Sequence, residues 1–104
     1  MKQVMVRYKV KPERVEENEE LVRAVYDELR SAAPAGLRYA TFKQADGVTF
    51  VHVAMHEGDG GALTRLPAFR AFQRDLGDRA EEGPVVSELE QIGAFRLLGD
   101  AAAQ

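Results

Sequence analysis

The chain has 104 residues, no cysteine and a formal net charge of -3. This length fits one domain with its own core, the lack of cysteine excludes disulfides, thiolate metal sites and a cysteine nucleophile, and the mild acidity gives no basic field for nucleic acid. Charge interrupts the N-terminal stretch and no apolar run approaches the roughly 20 residues of a membrane helix, so we expect a cytoplasmic protein without a membrane or nucleic-acid partner.

A strand and a long helix are predicted first. Over residues 3–11, apolar and aromatic residues, among them Tyr8, alternate with polar ones, which indicates a half-buried strand. Pro12 ends this strand and pre-sets φ for a helix over about residues 13–30. Apolar residues at 3/4 spacing give the helix a buried stripe, and the chain's only asparagine, Asn18, lies on it.

The next segment, residues 37–56, is predicted to be a β-hairpin. Asp-Gly between two β-rich runs is a strong hairpin signal, and it predicts a type I′ turn in which both turn residues have positive φ. With Asp46 and Gly47 as the two loop residues, the register is fixed and Thr41 lies opposite His52.

The two faces of this hairpin differ in character. One face is mixed and carries Tyr39, His52 and His56. A mixed face suits a wet cavity or a subunit interface. The other face, which includes Arg38 and Phe42, is more uniformly apolar, and we assign it to the core packed against the helices.

A glycine-rich loop and a second helix follow the hairpin. The glycines of residues 58–61 predict a flexible loop, and no Gly-Lys-Ser/Thr follows them, so this is not a phosphate loop. Thr64 is predicted to cap a helix with Pro67 in its first turn. Apolar spacing indicates that this helix continues to about Ala80.

The final elements complete a β-α-β-β-α-β order. Gly83-Pro84 predicts a turn, residues 85–98 a long last strand with a possible bulge at Gly93, and residues 99–104 a frayed tail. The order indicates an α+β, ferredoxin-like single domain over residues 1–98, with a four-stranded antiparallel sheet and two helices on one face. We expect a homodimer through the open sheet face, with the long last strand reaching the partner.

Three segments resemble a known superfamily. The opening YKVKPERVEENEELV, the hairpin RYATFKQADGVTFVHVAMHEG and the later LPAFRAFQRDL are similar to the dimeric α+β-barrel proteins, and within them to antibiotic-biosynthesis-monooxygenase-like domains. The likeness covers about residues 3–98. It implies a dimeric barrel with a ligand cleft between the helices and the sheet of each subunit. Members include cofactor-independent oxygenases of aromatic polyketides and quinols, haem-degrading enzymes and isomerases.

Two residues are candidates for catalysis. His52, in mid-strand, could act as a general base or as a hydrogen-bond donor to a ligand, and the alternative is a packed interface histidine. The resemblance implies that an asparagine such as Asn18 could hold a substrate carbonyl or dioxygen. The alternative is that Asn18 bonds a strand carbonyl or lies at the wet end of its helix.

Further residues are candidates for ligand contact. Tyr8 and Tyr39 have polar tips that suit a cavity wall, and Arg38 could neutralise an anionic ligand. Phe72 lies at helical spacing, which gives it mainly a core role. These candidates are Tyr8, Tyr39, Arg38, Phe42, His56 and Phe72. Because His52 and His56 are four residues apart along one strand, about 13 Å, they cannot share one metal ion, and we predict no metal site.

Three functions are compatible with these residues. The first is an oxidoreductase, a cofactor-independent monooxygenase-like enzyme for a small aromatic or quinol, with His52 as the base and no cofactor. The second is a non-catalytic homodimer that binds a small ligand or serves a neighbouring protein. The third is haem binding, which needs a histidine within reach of the cleft. Fold alone does not choose among them.

Overall fold

The computed structural model of the chain describes residues 1–58 and 61–97, so the predicted tail at 99–104 lies outside the described residues. A four-stranded antiparallel sheet, in which the second, third, first and fourth strands of the chain lie side by side in that order, carries the helices on one face. This confirms the predicted ferredoxin-like α+β arrangement. The elements are β1 (Lys2–Val10), α1 (Val15–Ala32), β2 (Leu37–Lys43), β3 (Thr49–His56), α2 (Gly61–Thr64), α3 (Pro67–Arg74), α4 (Leu76–Arg79) and β4 (Ala80–Glu88).

The first helix begins and ends through backbone chemistry. A short 3-10 turn at Pro12–Arg14 leads into α1, so the α-helix starts two residues later than predicted. Its end is a left-handed residue, Ala33, at φ 42°, whose N–H donates to the Leu29 carbonyl at 2.7 Å. Pro34 follows at once, and it cannot continue a helix.

The hairpin has the predicted register but a different turn. Thr41 lies opposite His52, as expected. Only Gly47, at φ 79°, has positive φ; Asp46 does not, so the type I′ prediction is wrong. The reason is the Asp46 carboxylate, which accepts from the backbone N–H groups of Val48 at 3.0 Å and Thr49 at 2.9 Å. These bonds hold an Asx-type turn that leaves the positive φ to glycine alone.

The assignment of the hairpin faces is wrong. His52 and Tyr39 face the helices, whereas Phe42 is 52% exposed on the open side of the sheet with Arg38. A mixed face can be buried here because its polar tips bond to one another. The buried core cluster consists of Tyr8, Val10, Val25, Phe50, Leu63, Leu66, Phe69, Phe72 and Leu76.

The predicted second helix is two short helices, α3 and α4, and another short helix, α2, precedes them. Thr64 ends α2, and Leu66 stands at the N-cap of α3 without a side-chain cap bond, so the prediction that Thr64 caps a continuous helix is wrong. Instead, the Glu28 carboxylate of α1 accepts the backbone N–H of Ala68 in the first turn of α3. A cap supplied by another helix leaves no local sequence signal. The residues that carry the apolar helical spacing, Leu66, Phe69, Phe72 and Leu76, are all buried, as such spacing predicts.

The last strand lies earlier than predicted. It covers Ala80–Glu88 with Gly83-Pro84 inside it, and residues 89–97 form no helix or strand. Within the described residues, β4 pairs with β1 alone, and Val4 already lies opposite Glu88. The N–H of Leu89 donates to the Gln3 carbonyl at 2.8 Å, after which β1 has almost no residues left to pair. The strand therefore ends where its partner ends.

Replacing Gly83 by alanine should destabilise the fold strongly. Gly83 has φ 83°, and an added Cβ would lie 2.8 Å from the Arg7 carbonyl oxygen. The left-handed backbone and this contact should together cost about 2–3 kcal/mol in the free energy of unfolding, measured in urea. Gly47→Ala is the matched control, because Gly47 has φ 79° and nothing within 4 Å of the added Cβ, so it should cost only about 1 kcal/mol. Equal losses in the two variants would contradict the role of the close approach.

Candidate functional site

A cavity lies between the sheet and the short helices. Its volume is about 280 Å³, and the wall is mainly apolar and aromatic. The sheet contributes Val4, Val6, Ala54, Pro84 and Val86; the helices contribute Leu63, Phe69, Phe72 and Leu76; the polar lining is Tyr39, His52, His56, Thr64 and Gln73. A mostly apolar pocket with a few convergent polar groups is the usual form of a small-molecule site.

His52 is the centre of the polar side of this cavity. Its ring is 5% exposed, and both ring nitrogens have partners. Nε2 lies 2.8 Å from the hydroxyl of Tyr8, while Nδ1 lies 2.6 Å from the hydroxyl of Tyr39 and 3.1 Å from that of Thr41. The predicted register explains part of this set, because Thr41 is directly opposite His52 on β2.

The hydrogen bonds continue behind His52 to a buried arginine. The Asn18 amide Nδ2 donates to the Tyr8 hydroxyl at 3.0 Å, and Arg79 Nε donates to Asn18 Oδ1 at 3.1 Å. Arg79 also donates from Nη2 to the Phe72 carbonyl at 2.8 Å. Asn18 and Arg79 are both 0% exposed. We call Arg79, Asn18, Tyr8, His52 and Tyr39 the buried relay.

Burial keeps the titratable groups of the relay neutral. It lowers the pKa of His52 to about 4. It also raises the pKa of Tyr8 to about 12, against the lowering effects of the Asn18 bond and the Arg79 charge. Burial raises the pKa of Tyr39 as well. At neutral pH the relay therefore holds a neutral imidazole between two neutral phenols, with the Arg79 guanidinium as its one charge.

This electrostatic state limits what His52 can do. A general base works best when its pKa is near the operating pH, and a neutral imidazole with both nitrogens engaged is a weak base. Tyr39, by contrast, lines the cavity, and its hydroxyl bonds to His52 at 2.6 Å. The arrangement suits hydrogen bonding to a ligand oxygen through Tyr39 better than direct proton abstraction by His52.

The structure separates the eight predicted site residues into three places. Four line the cavity: His52, His56, Tyr39 and Phe72. Tyr8 and Asn18 lie behind His52 in the relay. Arg38 and Phe42 lie on the open sheet face, where they line a separate groove of about 90 Å³ that also includes Leu97.

Three residues of this site were missed from the sequence. Arg79 contacts Asn18 across 61 positions, so no local spacing points to it. Tyr26 of α1 bonds to the Thr41 hydroxyl at 2.8 Å and stacks on Tyr39 at 5.4 Å. Thr41 alone had a usable signal, because the predicted register places it opposite His52.

Within residues 1–58 and 61–97, no group of three or more histidine, cysteine, aspartate or glutamate side chains comes together to hold a metal ion. Among the helices of the same residues, none has the length and apolar character needed to cross a bilayer.

The low pKa of His52 should make the fold sensitive to acid. The unfolded chain takes up a proton near pH 6.5 and the folded chain only near pH 4, so the free energy of unfolding should fall as pH drops through this window. The slope should be about 1.4 kcal/mol per pH unit, about 3 kcal/mol in total. In urea unfolding, the slope should be steeper by this amount in the protein than in His52→Gln, because the carboxylates with lowered pKa contribute equally to both, while His56→Gln keeps the full slope. The same pH slope in His52→Gln would contradict the assignment.

Solved structures share this fold. Rv0793 from Mycobacterium tuberculosis superposes with a TM-score of 0.73 at 19% identity, covering 89% of this chain and 96% of that chain. A protein described as an antibiotic biosynthesis monooxygenase superposes with a TM-score of 0.68 at 18% identity, covering 89% of this chain and 100% of that chain. PA3566 from Pseudomonas aeruginosa superposes with a TM-score of 0.71 at 18% identity, covering 88% of this chain and 94% of that chain.

These likenesses confirm the fold expected from the sequence segments. The chain shares its fold with Rv0793 and with the protein described as an antibiotic biosynthesis monooxygenase. Comparison with protein-family models and with curated proteins finds no match. At identities below one fifth, the shared architecture carries no activity, which has to be argued from the site.

Proposed function

We propose that the protein is a cofactor-independent monooxygenase-like enzyme that binds a small aromatic or quinol in the cavity between sheet and helices. One observation supports this most directly: an apolar cavity of about 280 Å³ has a hydrogen-bonding wall at Tyr39 and His52. The aromatic rings of Phe69 and Phe72 provide flat surfaces for a ligand ring. The volume lies just below the usual range of about 300–1,000 Å³ for drug-sized pockets, so a ligand of one or two rings fits.

The reaction needs no external reductant. A quinol that is already deprotonated gives an electron pair from a ring carbon to dioxygen, which forms a carbon-bound peroxide. The oxygen–oxygen bond then breaks: one oxygen stays on carbon and the other leaves as water, so quinol plus dioxygen becomes hydroxyquinone plus water. Tyr39 would donate its O–H to the substrate oxyanion, and His52 would hold Tyr39 in place.

Oxygen uptake tests this proposal. The purified protein, treated with a chelator and supplied with no flavin or metal, is mixed with a panel of small quinols and hydroxylated aromatics in an oxygen electrode. We expect one dioxygen consumed per substrate, with the hydroxylated quinone as product, above the rate without protein. No uptake above that rate with any member of the panel would contradict the proposal. The absence of a cofactor and the cytoplasmic location stay predictions.

One observation favours a second candidate, a non-catalytic ligand-binding protein. Both nitrogens of His52 are engaged and its pKa is about 4, so His52 is a weak base at neutral pH. Such a protein would retain an aromatic ligand without turning it over. Native mass spectrometry after incubation with the same panel would show the bound ligand intact, together with an absence of oxygen uptake.

We also propose that a second copy covers the open sheet face. Phe42, Val51, Arg7 and Val85 form one row across all four strands on that face, and Phe42 and Val85 are 52% and 56% exposed. An exposed apolar patch on a sheet face is typical of a protein–protein contact. Pairing with an identical face is the simplest way to cover it.

Phe42→Glu should disrupt this homodimer. A carboxylate in place of the phenylalanine would remove the apolar contact and would itself lose hydration in the contact, so we expect the dissociation constant to rise about 30-fold or more, the equivalent of about 2 kcal/mol. Sedimentation velocity over a concentration series measures the shift. The exposed Arg70 of α3 provides the control, since Arg70→Glu adds negative charge on the helix side and should leave the dimer intact. A monomeric parent protein, or an unchanged constant in Phe42→Glu, would contradict the proposal.

A further inference from the structure

Arg79 is a buried charge that no carboxylate neutralises by contact. Its side chain is 0% exposed, and its hydrogen-bond acceptors in the described part of the chain are the Asn18 amide oxygen and the Phe72 carbonyl. The guanidinium also lies over the Phe72 ring at 5.4 Å. Nη1 is buried and has no acceptor within residues 1–58 and 61–97. Burying a guanidinium without a carboxylate costs desolvation free energy, which indicates that Arg79 has a role beyond packing.

Arg79 fixes the direction of the hydrogen bonds next to it. A guanidinium only donates, so the Asn18 atom that faces it must be the amide oxygen. The Asn18 NH₂ group is therefore turned towards Tyr8, and the Tyr8 oxygen accepts from it. The hydrogen of Tyr8 is then left for its other partner, Nε2 of His52, at 2.8 Å.

This direction continues through the imidazole to the cavity. A neutral imidazole that accepts at Nε2 carries its hydrogen on Nδ1. Nδ1–H donates to the Tyr39 oxygen at 2.6 Å, with the Thr41 hydroxyl at 3.1 Å as a second acceptor. Because the Tyr39 oxygen accepts from His52, the Tyr39 hydrogen is left for the neighbouring Thr41 hydroxyl or, when the cavity is occupied, for an acceptor oxygen of the ligand.

We propose that Arg79 is a positioning and specificity residue: through Asn18 and Tyr8 it selects the Nδ1–H tautomer of His52 and makes Tyr39 a hydrogen-bond donor to the cavity. The ligand class follows from this polarity. The cavity takes a ligand through an acceptor oxygen, such as a phenolate, an enolate or a quinone carbonyl, in preference to a neutral phenol that must donate. This inference rests on the proposed ligand site and deepens it by naming the form of substrate that binds.

Asn18→Asp should reverse the donors and acceptors in the hydrogen bonds from Tyr8 to Tyr39, with almost no change in side-chain shape. A carboxylate at position 18 accepts from Arg79 but cannot donate to Tyr8, so the Tyr8 hydrogen turns towards it. The Tyr8 oxygen then accepts from Nε2–H of His52, and Nδ1 becomes the acceptor of the Tyr39 hydrogen. A ligand would meet the Tyr39 oxygen as an acceptor and would have to donate.

The tautomer of His52 is the first measurement. Long-range ¹H–¹⁵N NMR of histidine-labelled protein distinguishes Nδ1–H from Nε2–H, and with two histidines in the chain, His56→Gln assigns the signals. We expect Nδ1–H in the parent protein and Nε2–H in Asn18→Asp. Nε2–H in the parent protein would overturn the proposal without any variant, and so would an unchanged tautomer in a folded Asn18→Asp.

Ligand preference is the second measurement. 4-Nitrophenol is the probe, because only its phenolate absorbs strongly in the visible, so the ratio of bound phenolate to bound phenol is measured at one pH. We expect this ratio to be about tenfold higher in the parent protein than in Asn18→Asp, since bonds to a charged acceptor are stronger. Arg79→Met, which replaces the buried charge by an apolar chain, should also lower the ratio. Arg74→Met, at an exposed arginine of α3, should not. Equal ratios in the parent protein and Arg79→Met would overturn the proposal.

The two proposals fail in different ways. The tautomer is read in protein without ligand, so it does not depend on turnover. The predicted tautomer and phenolate preference without oxygen uptake would overturn the monooxygenase proposal alone. Oxygen uptake by a protein whose His52 is the Nε2–H tautomer would overturn the assignment of Arg79 alone.

Discussion

Asn18→Ala is expected to lower the free energy of unfolding by about 3–5 kcal/mol, the cost of leaving a buried charge without its partner. The change removes the acceptor of Arg79 Nε and the donor to the Tyr8 hydroxyl together. Neither the Arg79 guanidinium nor the Tyr8 hydroxyl can form a replacement hydrogen bond with solvent, because Arg79 is 0% exposed and Tyr8 is 1% exposed; Asn18 is also 0% exposed. Urea unfolding of the two proteins measures the difference.

Two further variants show whether the loss comes from the relay. Glu20→Ala, at an exposed position of α1, should change the free energy of unfolding by no more than about 0.5 kcal/mol. The double variant Asn18→Ala/Arg79→Met should lose less than the sum of its single changes, because each removes the partner that the other leaves unpaired. A loss below about 1 kcal/mol in Asn18→Ala would mean that the relay contributes little to the fold.

The order and pairing of the strands follow from local chemistry. The Asp-Gly turn sets the hairpin register, and Thr41 opposite His52 is the result, although Asp46 reaches it through its carboxylate and not through a positive φ. Pro12 separates β1 from the first helix, as predicted. Such signals act over a few residues, which is why a sequence shows them.

The hairpin faces could not be assigned in the same way. Counting apolar residues favours the Phe42 face as the core, and this fails because polar tips can be buried when they satisfy one another. The Tyr39 hydroxyl bonds to His52 Nδ1 at 2.6 Å. The Tyr8 hydroxyl, 44 positions from His52 in the sequence, bonds to Nε2 at 2.8 Å. The apolar side is left open instead, which is what a contact with a second copy needs.

The sequence predicts that Asn18 needs a polar partner but does not identify that partner. A lone amide on an apolar helix stripe indicates that something polar must meet it, and burial at 0% exposure confirms that need. Its partner, Arg79, comes from the end of α4, where an arginine has no unusual neighbours in the sequence. The relay is therefore a property of the assembled fold.

Tyr39→Phe should lower kcat for oxygen uptake by about 10²–10³-fold, the loss found when one donor to a developing oxyanion is removed. The change deletes only the hydroxyl of this cavity-lining residue, which bonds to His52. The remaining ring can keep its stacking on Tyr26 at 5.4 Å and its edge contact with Phe69 at 6.4 Å, so the fold should persist. Separate measurement of kcat and KM in the oxygen electrode tests the prediction.

Tyr26→Phe is the matched control. It removes a hydroxyl that bonds to Thr41, from a ring that stacks on Tyr39 but does not line the cavity. It should therefore change kcat by only a few-fold, while circular dichroism shows both variants to be folded. If Tyr39→Phe raises KM and leaves kcat unchanged, the hydroxyl binds the ground state and the transition state equally, and the donor role in catalysis is wrong. Equal effects of the two variants would trace the loss to the packing of Tyr26 on Tyr39 instead of the donor in the cavity.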